Sequence, residues 1–186
     1  SDTVLMFATG EAMRVAEAET GKPIAPLRRT ADPRLKEFRS GLDDLMLDLS
    51  HQVVKDGEGA TKFIKITVRD AASYAEAKQI ALSVANSPLV KTAIAGEDAN
   101  GGRIVMAVGK SGARADRDKL AIRIGGVDVA KHGVAVPGYD EAPIARHMKG
   151  SDIDIEISVG VGKSNISVWT CDLTYEYIRI NADYRS

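Results

Sequence analysis

The feature that most constrains the fold is an alternation in the last quarter of the chain. Ile153, Ile155, Ile157 and Val159 take turns with Asp152, Asp154, Glu156 and Ser158. Successive side chains of an extended backbone point to opposite faces, so this stretch is a strand with one buried and one wet face. Ile64, Ile66 and Val68 alternate in the same way with Lys65 and Thr67, and Leu120, Ile122 and Ile124 alternate ahead of Gly125-Gly126, a two-residue hairpin signal. Ile166, Val168 and Thr170 alternate after a glycine-rich turn and are expected to be the hairpin partner of the 153–159 strand. Strands with one wet face favour mixed or antiparallel sheets covered on one side by helices.

Helical spacing fills the intervals. Leu35, Phe38, Leu42, Leu45, Met46, Leu49 and Val53 follow one another at steps of three and four, which predicts a helix from about Asp32 to Asp56 with one apolar face. Asp32 is suited to cap it, Pro33 to open it, and Gly57 to end it in a left-handed conformation. Ser73-Tyr74-Ala75-Glu76 is a capping-box pattern that opens a second helix through about Ala85. Ser87-Pro88 starts a third that Gly96 can close, and residues 140–148 form a short fourth. Ile104 to Val108 fits a helix or a buried strand, since periodicity does not decide, and Tyr175 to Ile180 reads as strand-like. The order β-α-α-β-β-α-β-β lacks the regular alternation of a doubly wound parallel sheet. The expected class is α+β, with mixed or antiparallel sheets packed with helices, in a single unit over residues 1–186.

Charge narrows the range of partners. Lys plus Arg is 25 and Asp plus Glu is 26, a formal net charge of -1, which calls for neither nucleic acid nor an anionic membrane. No apolar run approaches the roughly 18 residues that a membrane span needs. Cys171 is the sole cysteine, so an internal disulfide is impossible and a reducing cytoplasm is the natural setting. The apolar run Thr3 to Ala8 begins where a free terminus is usually polar. It reads like the middle of a buried element, and the expectation is that more sequence precedes Ser1 in the complete protein.

Few residues announce chemistry. Gly160-Val161-Gly162-Lys163-Ser164 resembles the tail of a phosphate loop, but Ile157 stands where another glycine is required and a strand follows instead of a helix, so a turn is the better reading. His51, His132 and His147 are not spaced as metal ligands. Cys171 beside Trp169 reads as a buried, inert thiol, because no activating base accompanies it. In Gly57-Glu58-Gly59-Ala60-Thr61-Lys62 a carboxylate lies between two glycines at the seam of a helix and a strand. Glycine lets backbone approach a ligand, although a helix stop followed by a solvated glutamate explains the same residues. The stretch from Gly96 to Arg103 reads as a turn and cap.

Taken together, these segments resemble the ornithine acetyltransferases of the ArgJ family. The resemblance is carried by the opening SDTVLMFATG, by GEGATK at 57–62, by NSPLVKTAIAGEDANGGRI at 86–104, and by VWTCDLTYEYIRINADYRS to the last residue. It implies the DmpA/ArgJ-like fold and transfer of acetyl from N-acetylornithine to glutamate in arginine biosynthesis. It implies a precursor that cleaves itself before a threonine, whose free amine then serves as base for its own hydroxyl. That threonine is expected upstream of Ser1, so the resemblance places no catalytic nucleophile in this chain. It assigns substrate contacts to Glu58, Asn181 and Ser186, no metal and no bound cofactor, with acetyl-CoA as co-substrate in some members. The implied partners are an α-chain from the same precursor, the N-terminal β segment, and the two amino-acid substrates. The family's usual tryptophan is replaced here by Gly101. The competing reading is a non-catalytic structural or ligand-binding module that keeps the fold.

Overall fold

The computed structural model describes residues 3–183, which divide into two compact units, one up to Met46 and one from Leu47 onward. In the first unit, helix α1 spans Glu11–Thr20. Residues 3–9 have no regular structure and are exposed, Phe7 by 82%. In this chain the run is therefore not part of a buried element, and no described residue of this unit covers it. A 3-10 turn over Pro33–Leu35 leads into helix α2, Lys36–Lys55, which continues into the second unit. Asp32 caps that turn as expected, accepting the Arg34 N–H at 3.0 Å. No residue of α2 is fully buried, despite its apolar spacing.

The second unit is a mixed sheet of six strands: β1 (Phe63–Ala71), β2 (Ala121–Ile124), β3 (Val127–Lys131), β4 (Val134–Ala135), β5 (Asp152–Ser158) and β6 (Ser164–Cys171). Its order is β4-β3-β2-β5-β1-β6. Helices α3 (Tyr74–Ala85), α4 (Pro88–Ala95) and α5 (Gly101–Lys110) follow β1, α6 (Glu141–Lys149) precedes β5, and α7 (Tyr175–Ala182) follows β6. The alternating residues dictate this packing. Ile64, Ile66 and Val68 of β1 lie beside Ile153, Ile155 and Ile157 of β5 in parallel register, and all six are buried. Ile122 and Ile124 continue the apolar layer across β2. Ala77, Ile80, Ala81 and Val84 of α3 belong to the same core. The opposite face of the sheet is wet: Arg69 pairs with Glu156 at 2.6 Å, and the Thr67 and Ser167 hydroxyls hydrogen-bond at 2.9 Å.

The α+β class with a mixed sheet is as expected, but one pairing is not. β6 is not the hairpin partner of β5; β1 lies between them, parallel to β5 and antiparallel to β6. The link from β5 to β6 must therefore cross the end of β1, and this explains the glycines of residues 160–164. The Val161 and Gly162 N–H groups donate to the Asp70 carbonyl, and a side chain at Gly162 would sit 2.3 Å from the Ala71 oxygen. The GVGKS stretch is a crossing, with strand β6 after it and no helix. Two further expectations change or resolve. Ile104 to Val108 is helical, within α5, because Asn100 caps it by accepting the Arg103 N–H. Tyr175 to Ile180 is helical rather than strand-like, because Thr174 caps it and Glu176 pairs with Arg179 one turn on.

Candidate functional site

The loop GEGATK begins where α2 ends, and aromatic packing places that end. The His51 ring lies 4.5 Å from the Trp169 ring and 5.2 Å from that of Phe63, centroid to centroid, and the Lys55 ammonium sits 4.7 Å above Phe63. These contacts hold the last turns of α2 against β1 and β6. His51 is thus a packing residue at this seam, half-buried, and its buried Nε2 has no hydrogen-bond partner among the described residues.

Gly57 does not take the left-handed conformation expected of it; Gly59 does, at φ 71°. The reason is proximity to α7. A side chain at Gly59 would lie 2.7 Å from both the Glu176 Cβ and the Tyr177 nitrogen. At Gly57 the neighbour is the Cys171 sulfur, 3.0 Å from where a Cβ would stand. Cys171 is half-buried, with the Lys91 ammonium 3.9 Å away, so the thiol is less enclosed than expected.

Hydrogen bonds then stitch the loop to the segment between β6 and α7. The buried Asp172 carboxylate accepts the Thr61 N–H at 2.8 Å, the Thr61 hydroxyl at 2.6 Å and the Lys62 N–H at 2.9 Å. The Thr174 hydroxyl donates to the Gly59 carbonyl at 2.7 Å and accepts the Glu176 N–H as the helix cap. The Lys62 ammonium turns the other way, donating to the carbonyls of Met148 and Gly150 at 3.0 Å each, with Glu97 at 3.4 Å. An open cleft of about 240 Å³ runs beside the loop, lined by Lys55, Thr61, Lys62, Phe63 and Asp152 among others.

Two of the three substrate residues implied by the resemblance come together here. The Asn181 amide donates to the Glu58 carboxylate at 2.6 Å, across 123 residues of sequence. The same amide nitrogen donates to the Tyr177 carbonyl at 2.9 Å. Both amide hydrogens are thereby engaged, leaving only the carbonyl oxygen of Asn181 for another partner. Asn181 therefore orients Glu58. Both residues are exposed, and among the described residues only one of the two Glu58 oxygens has a partner. The arrangement is a carboxylate aimed by a neutral amide on an open ledge, suited to receive an ammonium group. Ser186, the third implied residue, lies outside the described residues.

Sequence reading missed Asp172, Thr61 and Thr174. A signal was present for Thr174, since Thr174-Tyr175-Glu176 is an N-cap pattern. Asp172 gave none, because its donors lie more than a hundred residues away. Gly101 simply opens α5, where an added Cβ would meet only Val129 at an ordinary 3.7 Å.

The fold has a counterpart among solved structures. A crystal structure of the arginine biosynthesis bifunctional protein ArgJ from Bacillus halodurans superposes with a TM-score of 0.79 at 35% identity, over 91% of this chain and 78% of that one. Proteins described as arginine biosynthesis bifunctional protein ArgJ from Zymomonas mobilis and Agrobacterium fabrum are each 55% identical over all 186 residues. The family model described as ArgJ family matches residues 1–186. The chain belongs to the ArgJ family. It spans 43% of the length of those two relatives.

Proposed function

We propose that this chain is the larger part of the β-chain of an ornithine acetyltransferase acting in arginine biosynthesis, and that Glu58, held by Asn181, receives the free ammonium group of N-acetylornithine. The observation that carries the reading is the Glu58–Asn181 hydrogen bond on an exposed ledge, in a chain that belongs to the ArgJ family. Charge-assisted contacts of this kind are among the stronger ones available to a surface carboxylate.

In this reading the complete enzyme joins the chain to an α-chain and to a β segment upstream of Ser1 that begins with the nucleophilic threonine. The threonine hydroxyl attacks the acetyl carbonyl of N-acetylornithine, its own amine takes the proton and passes it to the departing nitrogen, and ornithine leaves. The neutral amine of glutamate then attacks the acetyl ester, the threonine amine carries its proton to the threonine oxygen as the ester bond breaks, and N-acetylglutamate leaves the free threonine. Glu58 contributes by holding the free side-chain ammonium of N-acetylornithine, so that the acetyl carbonyl lies in line with the threonine hydroxyl. The resemblance assigns Ser186 as a further substrate contact, and acetyl-CoA fits as a second acetyl donor. The reaction's proteins and substrates fit a cytoplasmic setting. Among the described residues no helix is long and apolar enough to cross a membrane.

Mass spectrometry of the full-length protein incubated with N-acetylornithine tests this reading. One acetyl group is expected on a threonine upstream of Ser1, removed on adding glutamate, and none on the isolated 186-residue chain. Acetyl-enzyme formed by the isolated chain would overturn it.

A further inference from the structure

We infer that Asp172 is a positioning residue for the substrate site, setting the distance between Glu58 and Asn181 through the loop that carries one and the helix that carries the other. Asp172 is 3% exposed and is the one buried charged or polar residue among the described residues. Burying a carboxylate is costly unless donors surround it. Here three donors do so, the Thr61 N–H and hydroxyl and the Lys62 N–H, all within 2.9 Å. The neighbouring ammonium of Lys62 does not answer this carboxylate; it points to Met148 and Gly150. Apolar residues fill buried sites as well as ions do when only cohesion is needed, so a lone buried carboxylate with three directed donors indicates a requirement for register.

The geometry gives that register a consequence. Asp172 lies between the end of β6 and the start of α7, and its own N–H donates back to the Lys62 carbonyl at 3.3 Å. Thr174 adds its bond to Gly59, next to Glu58. Asn181 stands at the far end of α7, roughly 10 Å along the axis from Thr174 at the usual helical rise. A small rotation of α7 about its root is therefore magnified at Asn181 and breaks a 2.6 Å bond to Glu58. Asp172 is hydrogen-bonded to neither Glu58 nor Asn181; it acts on them through Thr61, Lys62 and the helix.

The kinetic part of this inference rests on the proposed substrate site, whereas the structural part does not, and two measurements separate them. Asp172→Asn keeps the shape and one acceptor oxygen, and Thr61→Val removes only the hydroxyl donor. In the 186-residue chain, the side-chain amide protons of Asn181 are followed by NMR. In both variants these protons should move toward the shifts of a solvated amide and exchange faster, while the backbone of α3 keeps its shifts. Unmoved Asn181 amide signals would overturn the inference, even if the variants melt earlier. If Asp172→Asn does not fold, Thr61→Val decides by the same signals. In the full-length enzyme, Asp172→Asn should raise KM for N-acetylornithine about tenfold or more, with a smaller change in kcat. The rise should vanish in a Glu58→Gln background, because the contact it serves is already gone. Independent, multiplying effects on KM would leave Asp172 a merely structural residue. A Glu58→Gln enzyme with wild-type kinetics would instead sink the substrate site and leave the NMR result to decide the positioning.

Discussion

At the scale of single residues, Asn181 shows how a side chain's free valences limit its role. Its two amide hydrogens serve Glu58 and the Tyr177 carbonyl, so it cannot also donate to a substrate carboxylate without breaking one of those bonds. Asn181→Asp would bring a second carboxylate against Glu58 and remove the donor that orients it. The kcat/KM of the full enzyme for N-acetylornithine is expected to fall, and wild-type kinetics would mean that Asn181 does not orient Glu58. Asp32 offers the opposite case. Hydrogen bonds from the Arg34 side chain and then its N–H lower its carboxyl to about 2. A folded pKa below the unfolded value of about 3.9 means that the cap contributes fully above that value and is lost as pH falls through about 2. NMR titration of Asp32 should show that low midpoint, and Arg34→Ala should move it upward; a midpoint near that of a free aspartate in the parent chain would contradict the cap.

At the scale of elements, what the sequence made legible depended on whether local signals agreed. The capping box at Ser73 and the caps at Ser87 and Asp140 each open the helix expected of them. Tyr175 to Ile180 misled because it is rich in aromatic and β-branched residues, which suit a strand. The cap at Thr174 and the Glu176–Arg179 pair outweigh that composition. Pairing order was illegible for a different reason. A glycine-rich turn between two alternating runs signals a hairpin, yet here the same glycines serve a close crossing over β1. Gly59 tests whether α7 is held by close approach. Gly59→Ala adds a methyl 2.7 Å from Glu176 and Tyr177 at a positive φ. It is expected to cost roughly 1–3 kcal/mol in thermal or denaturant unfolding and to speed hydrogen exchange in α7. Unchanged stability and exchange would mean that α7 does not lie against the loop.

Over the whole chain, the buried isoleucine layer of β5, β1 and β2 was readable because alternation marks a one-sided sheet regardless of partners. The site was only half readable. Glu58 stood out as a carboxylate between glycines, but its meeting with Asn181 depends on a fold that spans 123 residues. Helical spacing in α2 and the run at Thr3 to Ala8 predicted buried faces, yet Val4, Leu5, Phe7, Phe38 and Leu45 are exposed in this chain, which spans 43% of its relatives' length. The central claim is that Glu58 receives the substrate's ammonium group, and steady-state kinetics of Glu58→Gln in the full-length enzyme tests it most directly. Glutamine keeps the shape and the acceptor oxygen while removing the charge. The account predicts a loss in kcat/KM for N-acetylornithine of roughly tenfold to a hundredfold with the fold intact, as expected for a charged hydrogen bond; wild-type kcat/KM in a folded Glu58→Gln enzyme would contradict it.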